Sequence, residues 1–326
     1  MKAILVQESS SELPLVWQEA NDPVCGPGQV LVDVHATSLN RADLLQRAGR
    51  YPPPPGAPDI LGLDMAGAVR QVGIGVEGWQ PGERVCALLA GGGYAEQVVV
   101  PSGMLMPIPD HWSYEQAAAV PEVFLTAYLN IFLEAAFVAG ETVLMHGGAS
   151  GVGSAAIQLV RQSGGRMLVT AGTDDKTEVC ARLGAELAVN YRQEDFVQRI
   201  LEHTSGDGVD IIVDIVGAEY LERNLSLLKL RGRMVFLAML SGSRAEIDLG
   251  SLMGRRLRLI GSVLRSRPLQ EKVEIKERFM SQFWPQLVDD SILPVIDSVY
   301  PVQKANEAHR RMADNMNMGK IVLKVR

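Results

Sequence analysis

Cysteine is scarce in this chain: only Cys25, Cys86 and Cys180 occur in 326 residues, far apart and odd in number. Such a set does not build a disulfide framework and fits a reducing cytoplasm. Long apolar runs are missing too. The longest are strand-length, such as Val209–Val216 with Asp210 and Asp214 inside it, well short of the roughly 20 residues that cross a bilayer. No membrane partner is expected. Met1–Val6 holds one basic residue and a short apolar run before Gln7-Glu8, which reads as a first strand and not a signal peptide. Basic blocks are absent as well. With 31 Lys plus Arg against 38 Asp plus Glu, the net charge of -7 excludes the footprint of a nucleic-acid binder. The five histidines, at 35, 111, 146, 203 and 309, show no paired ligand spacing.

What is present is an ordinary α/β composition, 47 % apolar and 21 % charged, in a chain long enough for two domains. The first hundred residues read as antiparallel strands with little helix: Val30–Val34, Gly67–Gly73, Arg84–Ala90 and Tyr94–Val100, with Pro52–Pro55 in an extended loop. Near residue 120 the texture changes. Strands at Glu141–His146, Arg166–Ala171, Leu187–Asn190, Val209–Ile215, Arg233–Met239 and Arg258–Val263 alternate with helices near Val152–Val160, Asp174–Leu183, Glu194–His203 and Tyr220–Leu228. That alternation is the mark of a doubly wound parallel sheet. Beyond 265 the chain turns helix-rich and ends in a strand, Ile321–Val325. The expected layout is a nucleotide-binding domain (122–265) inserted into a mostly β domain made of 1–121 and 266–326.

The turn Gly147-Gly148-Ala149-Ser150-Gly151-Val152-Gly153 joins an expected strand to an expected helix. Glycines there let the backbone approach a pyrophosphate, whose charge suits the amide groups at a helix start. The strict glycine spacing fails at Ser150, whose hydroxyl either bonds a phosphate or caps the helix. Gly172 stands where NAD enzymes place a ribose-binding acid, about twenty residues on, and leaves room for an added phosphate. Thr173 and Lys176 offer it a hydroxyl and a positive charge, and Tyr191 and Arg192 lie on the same sheet edge. Asp174 and Asp175 would repel it, unless they serve as first-turn charges of the next helix. NADP(H) is favoured. Lys176 is otherwise a solvated surface lysine.

Six segments, in order, carry a resemblance: Ser38–Asp43, Ile60–Gly67, Gly91–Glu96, Ala117–Pro121, Ser150–Gly153 and Gly319-Lys320. Together they are similar to the medium-chain dehydrogenase/reductase superfamily, in its zinc-free quinone oxidoreductase branch. Leu44–Tyr51 with its prolines, and Asn190-Tyr191 ahead of Glu194–Phe196, resemble the stress-inducible members of that branch. The resemblance implies a GroES-like β domain and a Rossmann domain, an active site in the cleft between them, and homodimers, or tetramers, built on edge strands. It also implies cofactor contacts at Asn40, Tyr51, Thr126, Gly148, Ser150, Gly151, Val152, Gly172, Thr173, Lys176, Tyr191 and Lys320. Val216, Gly217, Leu237, Met239, Val263 and Arg265 should border the nicotinamide and ribose.

Zinc enzymes of the superfamily use a Cys, a His and a third Cys, His or acid. Here Asn40, Leu63 and the segment Pro121-Glu122-Val123 stand at those places, and one carboxylate cannot make a zinc site. Without a Lewis acid, alcohol oxidation is disfavoured, whereas quinones accept hydride readily. Tyr51 is the first candidate to hydrogen-bond an acceptor oxygen, or else its ring packs on prolines or cofactor. Asn40 orients a ribose or carbonyl, or bonds its own backbone in a turn. Ser150 is the third candidate catalytic group. Thr126, expected within a helix Val123–Leu133, reaches the nicotinamide or bonds back into its helix. Asp43 is expected in an ion pair with Arg41 or Arg47. The leading expectation is an NADPH-dependent quinone reductase. Reduction of an enone or 2-alkenal double bond is the close rival, and a cofactor-binding, crystallin-like or sensing protein is the alternative from another class.

Overall fold

The computed structural model describes residues 1–7 and 13–326. Two compact units form: Met1–Leu125 with Arg265–Arg326, and Thr126–Leu264.

The first stretch begins with an antiparallel pair, β1 (Lys2–Val6) and β2 (Leu15–Glu19). It continues through β3 (Gln29–Ser38), helix α1 (Arg41–Arg47), β4 (Asp64–Val72), β5 (Arg84–Leu88), β6 (Gln97–Pro101), β7 (Leu105–Pro107), and the helices α2 (Tyr114–Ala118) and α3 (Pro121–Tyr128). The short α1 was not expected in a β stretch. It forms because Asn40, with extended backbone, caps it while Asp43 reaches back to the Asn40 amide at 2.7 Å. The strand expected from Tyr94 starts only at Gln97. Tyr94 instead lies in a loop, where its amide donates to Leu61 O.

The second unit carries β8 (Thr142–His146), α4 (Gly151–Gln162), β9 (Arg166–Ala171), α5 (Asp174–Leu183), β10 (Leu187–Asn190), α6 (Phe196–His203), β11 (Val209–Asp214), α7 (Leu221–Leu227), β12 (Leu228–Phe236), α8 (Leu249–Gly254) and β13 (Arg258–Gly261). The strands pair in parallel in the order β10-β9-β8-β11-β12-β13. Every residue of β8 is buried, as befits a strand covered on both faces. Thr173 and Asp195 cap α5 and α6, and Gly184, at φ 107°, ends α5 in the left-handed conformation. The helix expected over Val123–Leu133 is divided: α3 stops at Tyr128 and a π-helical stretch, Leu129–Glu134, follows. There the Asn130 side chain donates to Thr126 O at 2.7 Å, which competes with the regular ladder.

The chain returns to the first unit through α9 (Leu269–Val288), β14 (Ile296–Pro301), α10 (Ala305–Ala313) and β15 (Lys320–Lys324). Strands β14 and β15 complete a seven-stranded sheet in the order β14-β15-β3-β4-β5-β7, with β6 also on β3. The last strand therefore lies against β3, from the beginning of the chain. Strand β14 lies in the region expected to be helical before the final strand.

Candidate functional site

In the parallel sheet, the strand order reverses between β8 and β11, the switch point where doubly wound folds bind ligands. The turn from β8 into α4 lies there. Gly147 has φ +74°, a conformation that glycine adopts without strain. A Cβ on Gly148 would meet the Val169 side chain at 2.5 Å, and one on Gly153 would meet the carbonyl oxygens of Gly148 and Gly147 at 2.4 and 2.5 Å. Glycine is thus required for helix and strand to pack closely here. Ser150 Oγ accepts from the Gly153 amide at 3.0 Å, so this serine caps α4. Gly151 and Val152 open the helix and stay half-buried. A helix start free of acidic residues in its first turn suits a pyrophosphate.

At the end of β9, Gly172 lies beneath a tyrosine: a Cβ there would come within 2.9 Å of the Tyr191 hydroxyl. Thr173 caps α5 by accepting from the Lys176 amide at 3.3 Å. Asp174, the feared competitor for a phosphate, is turned sideways. Its carboxylate takes hydrogen bonds from Asn190 Nδ2 at 2.7 Å and Gln193 Nε2 at 3.2 Å, which hold its pKa below the usual carboxylate range. Gly172 and Tyr191 thus meet at the ends of β9 and β10, next to the α5 start with Thr173 and Lys176, while the Asp174 carboxylate stays ionised and bonded to two side-chain amides.

After β11, the buried Asp214 accepts from the amides of Val216 and Gly217, both at 2.9 Å, and burial raises its pKa. Asp214 shapes this turn and was not recognised in the sequence. Gly217 (φ 91°, ψ -128°) has a backbone reserved for glycine. A Cβ on it would stand 3.1 Å from Met239 Sδ, so the turns after β11 and β12 meet. Strand β12 ends at Phe236, earlier than expected; the Leu237 amide still donates to β11, to Asp214 O at 2.8 Å. Leu237 is half-buried, Met239 and Val263 are exposed, and Thr126 is buried. His146, the last residue of β8, bonds Thr170 Oγ1 at 2.9 Å and Asn224 Oδ1 at 2.8 Å, and burial pushes its pKa down to about 4.

The other unit gathers its charges differently. Asp64, wholly buried, accepts from Ser38 Oγ and Asn40 Nδ2 at 2.7 Å, the Glu122 amide at 2.7 Å and Lys320 Nζ at 3.0 Å. Lys320 Nζ also donates to Leu39 O at 2.8 Å and Asn40 Oδ1 at 2.6 Å. Its three N–H bonds are thereby given to acceptors of the chain itself, at a residue where the resemblance implies a cofactor contact. Asn40 is tied into the same pair, and not into its own backbone alone. Asp43 makes no ion pair with Arg41 or Arg47. It accepts from the amides of Asn40 and Gly62 and from Tyr94 Oη at 3.2 Å, and burial raises its pKa to about 6. His309 Nε2 lies 3.3 Å from the same hydroxyl, with its pKa lowered to about 3 by burial.

Tyr51 is half-buried, and the Arg265 guanidinium lies 5.3 Å from its ring centre. Arg265 is 4 % exposed and donates to Ala90 O and Gln46 Oε1. Its guanidinium is thus held within the β unit, at a residue where the resemblance implies a border with the nicotinamide and ribose.

Zinc does not fit the residues present. Leu63 is a buried apolar side chain, and the Asn40 oxygen faces an ammonium group, a poor neighbour for a dication. Among the described residues, no group of three or more His, Cys, Asp or Glu is placed to hold a metal ion, and no helix is long and apolar enough to cross a membrane.

Two family models match the chain: the alcohol dehydrogenase GroES-like domain over residues 26–110 and the zinc-binding dehydrogenase over 151–281. The quinone oxidoreductase of Rattus norvegicus is 31 % identical over 328 residues, covering 99 % of this chain and 97 % of the relative. The synaptic vesicle membrane protein VAT-1 homolog of the same species is 33 % identical, covering 96 % and 80 %. Among solved structures, the quinone oxidoreductase of Escherichia coli complexed with NADPH superimposes with a TM-score of 0.89 at 28 % identity, covering all of both chains. The chain belongs to the medium-chain dehydrogenase/reductase superfamily of oxidoreductases, among the relatives of its quinone oxidoreductases.

Proposed function

We propose that this chain is an NADPH-dependent quinone reductase that works without a metal ion. The observation that carries the reading is the glycine turn between β8 and α4, at the switch point of the sheet, where a Cβ on Gly148 or Gly153 would collide with its surroundings. The E. coli relative's complex with NADPH supports the choice of ligand. When bound, NADPH supplies a hydride, two electrons with one proton, and a second proton makes hydroquinone from quinone. Gly148, Gly151, Val152 and the cap Ser150 hold the pyrophosphate at the α4 amides. Gly172, Thr173, Lys176 and Tyr191 receive the extra phosphate. Val216, Gly217, Leu237 and Met239 form the turns beyond β11 and β12, and with Thr126 and Val263 they border the rest of the dinucleotide. Tyr51 donates a hydrogen bond to the acceptor oxygen as negative charge develops on it.

Among the described residues, the sheet order leaves the outer edge of β13 unpaired, and Met239, Leu240, Leu249, Met253 and Val263 are exposed on the same unit. We propose a homodimer through this edge.

The test is calorimetric titration with NADPH and NADH, followed by steady-state rates on an ortho-quinone and a 2-alkenal with one preparation. Tighter NADPH binding and faster quinone reduction are expected. Faster reduction of the alkenal would move the chain to double-bond reduction, and binding without turnover of either acceptor would make it a cofactor-binding protein.

A further inference from the structure

Tyr51 begins a stretch with four consecutive prolines, Pro52–Pro55, that lacks regular structure as far as Leu63. Prolines have little freedom of their own and hold the backbone of the residue ahead of them extended, yet they leave the direction of its side chain open. The orientation of Tyr51 must come from its surroundings. Arg265, the first residue of the returning chain, supplies it. Nε and Nη2 both donate to Ala90 O, at 2.8 and 2.6 Å, and Nη2 also donates to Gln46 Oε1 at 2.7 Å. A guanidinium fixed on these acceptors has its central carbon over the Tyr51 ring, 5.3 Å from the ring centre, while Nη1 donates to Tyr51 O at 3.5 Å. The far end of the segment is fastened by the same parts. Gln46 Nε2 donates to Asp59 O at 2.9 Å, and the Gly92 amide donates to Ile60 O at 2.7 Å. A Cβ on Gly91 would lie 2.7 Å from Pro58 O, so the glycine run next to Ala90 lies against this backbone.

We infer that Arg265 is a positioning residue for Tyr51: anchored by Ala90 and Gln46, it sets the plane of the tyrosine ring and hence the direction in which the phenol donates. This inference rests on the role proposed for Tyr51. The charge has a second effect in the same sense. Burial and the Glu122 carboxylate raise the phenol's pKa, and the Arg265 cation opposes them. An arginine cation held over the ring keeps a weakly acidic phenol a better donor to a developing oxyanion.

Arg265→Lys, Gln46→Leu, Tyr51→Phe and the double variant Arg265→Lys/Tyr51→Phe test it. Lysine keeps the charge but has neither the fork nor the flat face. In protein without cofactor, labelled with 3-fluorotyrosine, the Tyr51 resonance is the one that Tyr51→Phe removes. It should shift in Arg265→Lys and in Gln46→Leu. With saturating NADPH and an ortho-quinone, Arg265→Lys should lower kcat by about tenfold with NADPH affinity within about twofold, because misplaced donors lose rate and not binding. It should have no further effect in the Tyr51→Phe background. An unmoved fluorine resonance, or kcat losses that multiply in the double variant, would overturn the role given to Arg265. A Tyr51→Phe variant with unaltered kcat would overturn the role given to Tyr51 itself, and the resonance would still report whether Arg265 orients the ring.

Discussion

The two units solve the same problem, the placement of charge, in opposite ways. In Thr126–Leu264 the groups proposed to hold a pyrophosphate are mostly backbone: amides at the start of α4, in a turn where glycines leave space. Side chains there act as caps and braces, Ser150 for the helix and Asp214 for the Val216-Gly217 turn. In the β unit the charge is carried by side chains sealed from water. Asp64 and Lys320 are 0 % and 2 % exposed, and Asn40 bridges them. A backbone site tolerates little change of shape, whereas a buried ion pair tolerates little change of partner.

Four substitutions or conditions would break or sharpen this contrast. Lys320→Met should have the largest effect, leaving Asp64 buried without its cation at a cost of about 3–5 kcal/mol, read as a drop in Tm. NADPH affinity measured below that Tm should be unchanged, and a loss of affinity with intact Tm would restore Lys320 to the cofactor. Gly153→Val should lower Tm as well as weaken NADPH binding, the latter by more than about a hundredfold in Kd, roughly 2.7 kcal/mol, because its side chain has only backbone to displace. Retained affinity would remove the turn from the binding site.

The third condition is acid. The imidazoles of His146 and His309 are held neutral, at about 4 and 3 against an ordinary 6.5, so the unfolded chain takes up protons that the folded one refuses. Stability is then full above about pH 6.5 and falls as pH drops towards 4. Asp43 works against this. Its pKa of about 6, above the ordinary 3.8, makes the folded state gain stability as pH falls through that value. Two histidines outweigh one aspartate, and a net loss of about 2 kcal/mol between about pH 7 and 5 is expected in urea melts. His309→Gln should flatten that slope; a slope left unchanged would show that its ring is not the proton-refusing group in the β unit. The smallest effect belongs to Lys176→Ala, which should weaken NADPH by about tenfold and leave NADH alone, as loss of one phosphate contact implies. Equal losses for both coenzymes would assign Lys176 to another task.

The same contrast governs what could be read from the sequence. Strands β9 and β10 and helix α5 have the very limits read from the residues, because each is bounded by local chemistry, such as the Thr173 cap and Gly184. The glycine turn was legible for the same reason: its parts are neighbours in the chain. Asp64 and Lys320 are 256 residues apart, and no local pattern pairs them. The only signal was an acid inside the otherwise apolar run Ile60–Gly67. Tyr94, Asp43 and His309 meet only once the chain's two ends share a sheet. Helix α1 escaped because its seven residues rest on a cap formed by Asn40 and Asp43, residues read for other roles.

The most direct test of the central claim is quinone reduction with NADPH by protein whose metal content is measured in the same sample. Full turnover is expected with far less than one metal ion per chain, and no loss on treatment with a chelator. Activity that tracks stoichiometric zinc, and vanishes when zinc is removed, would contradict it.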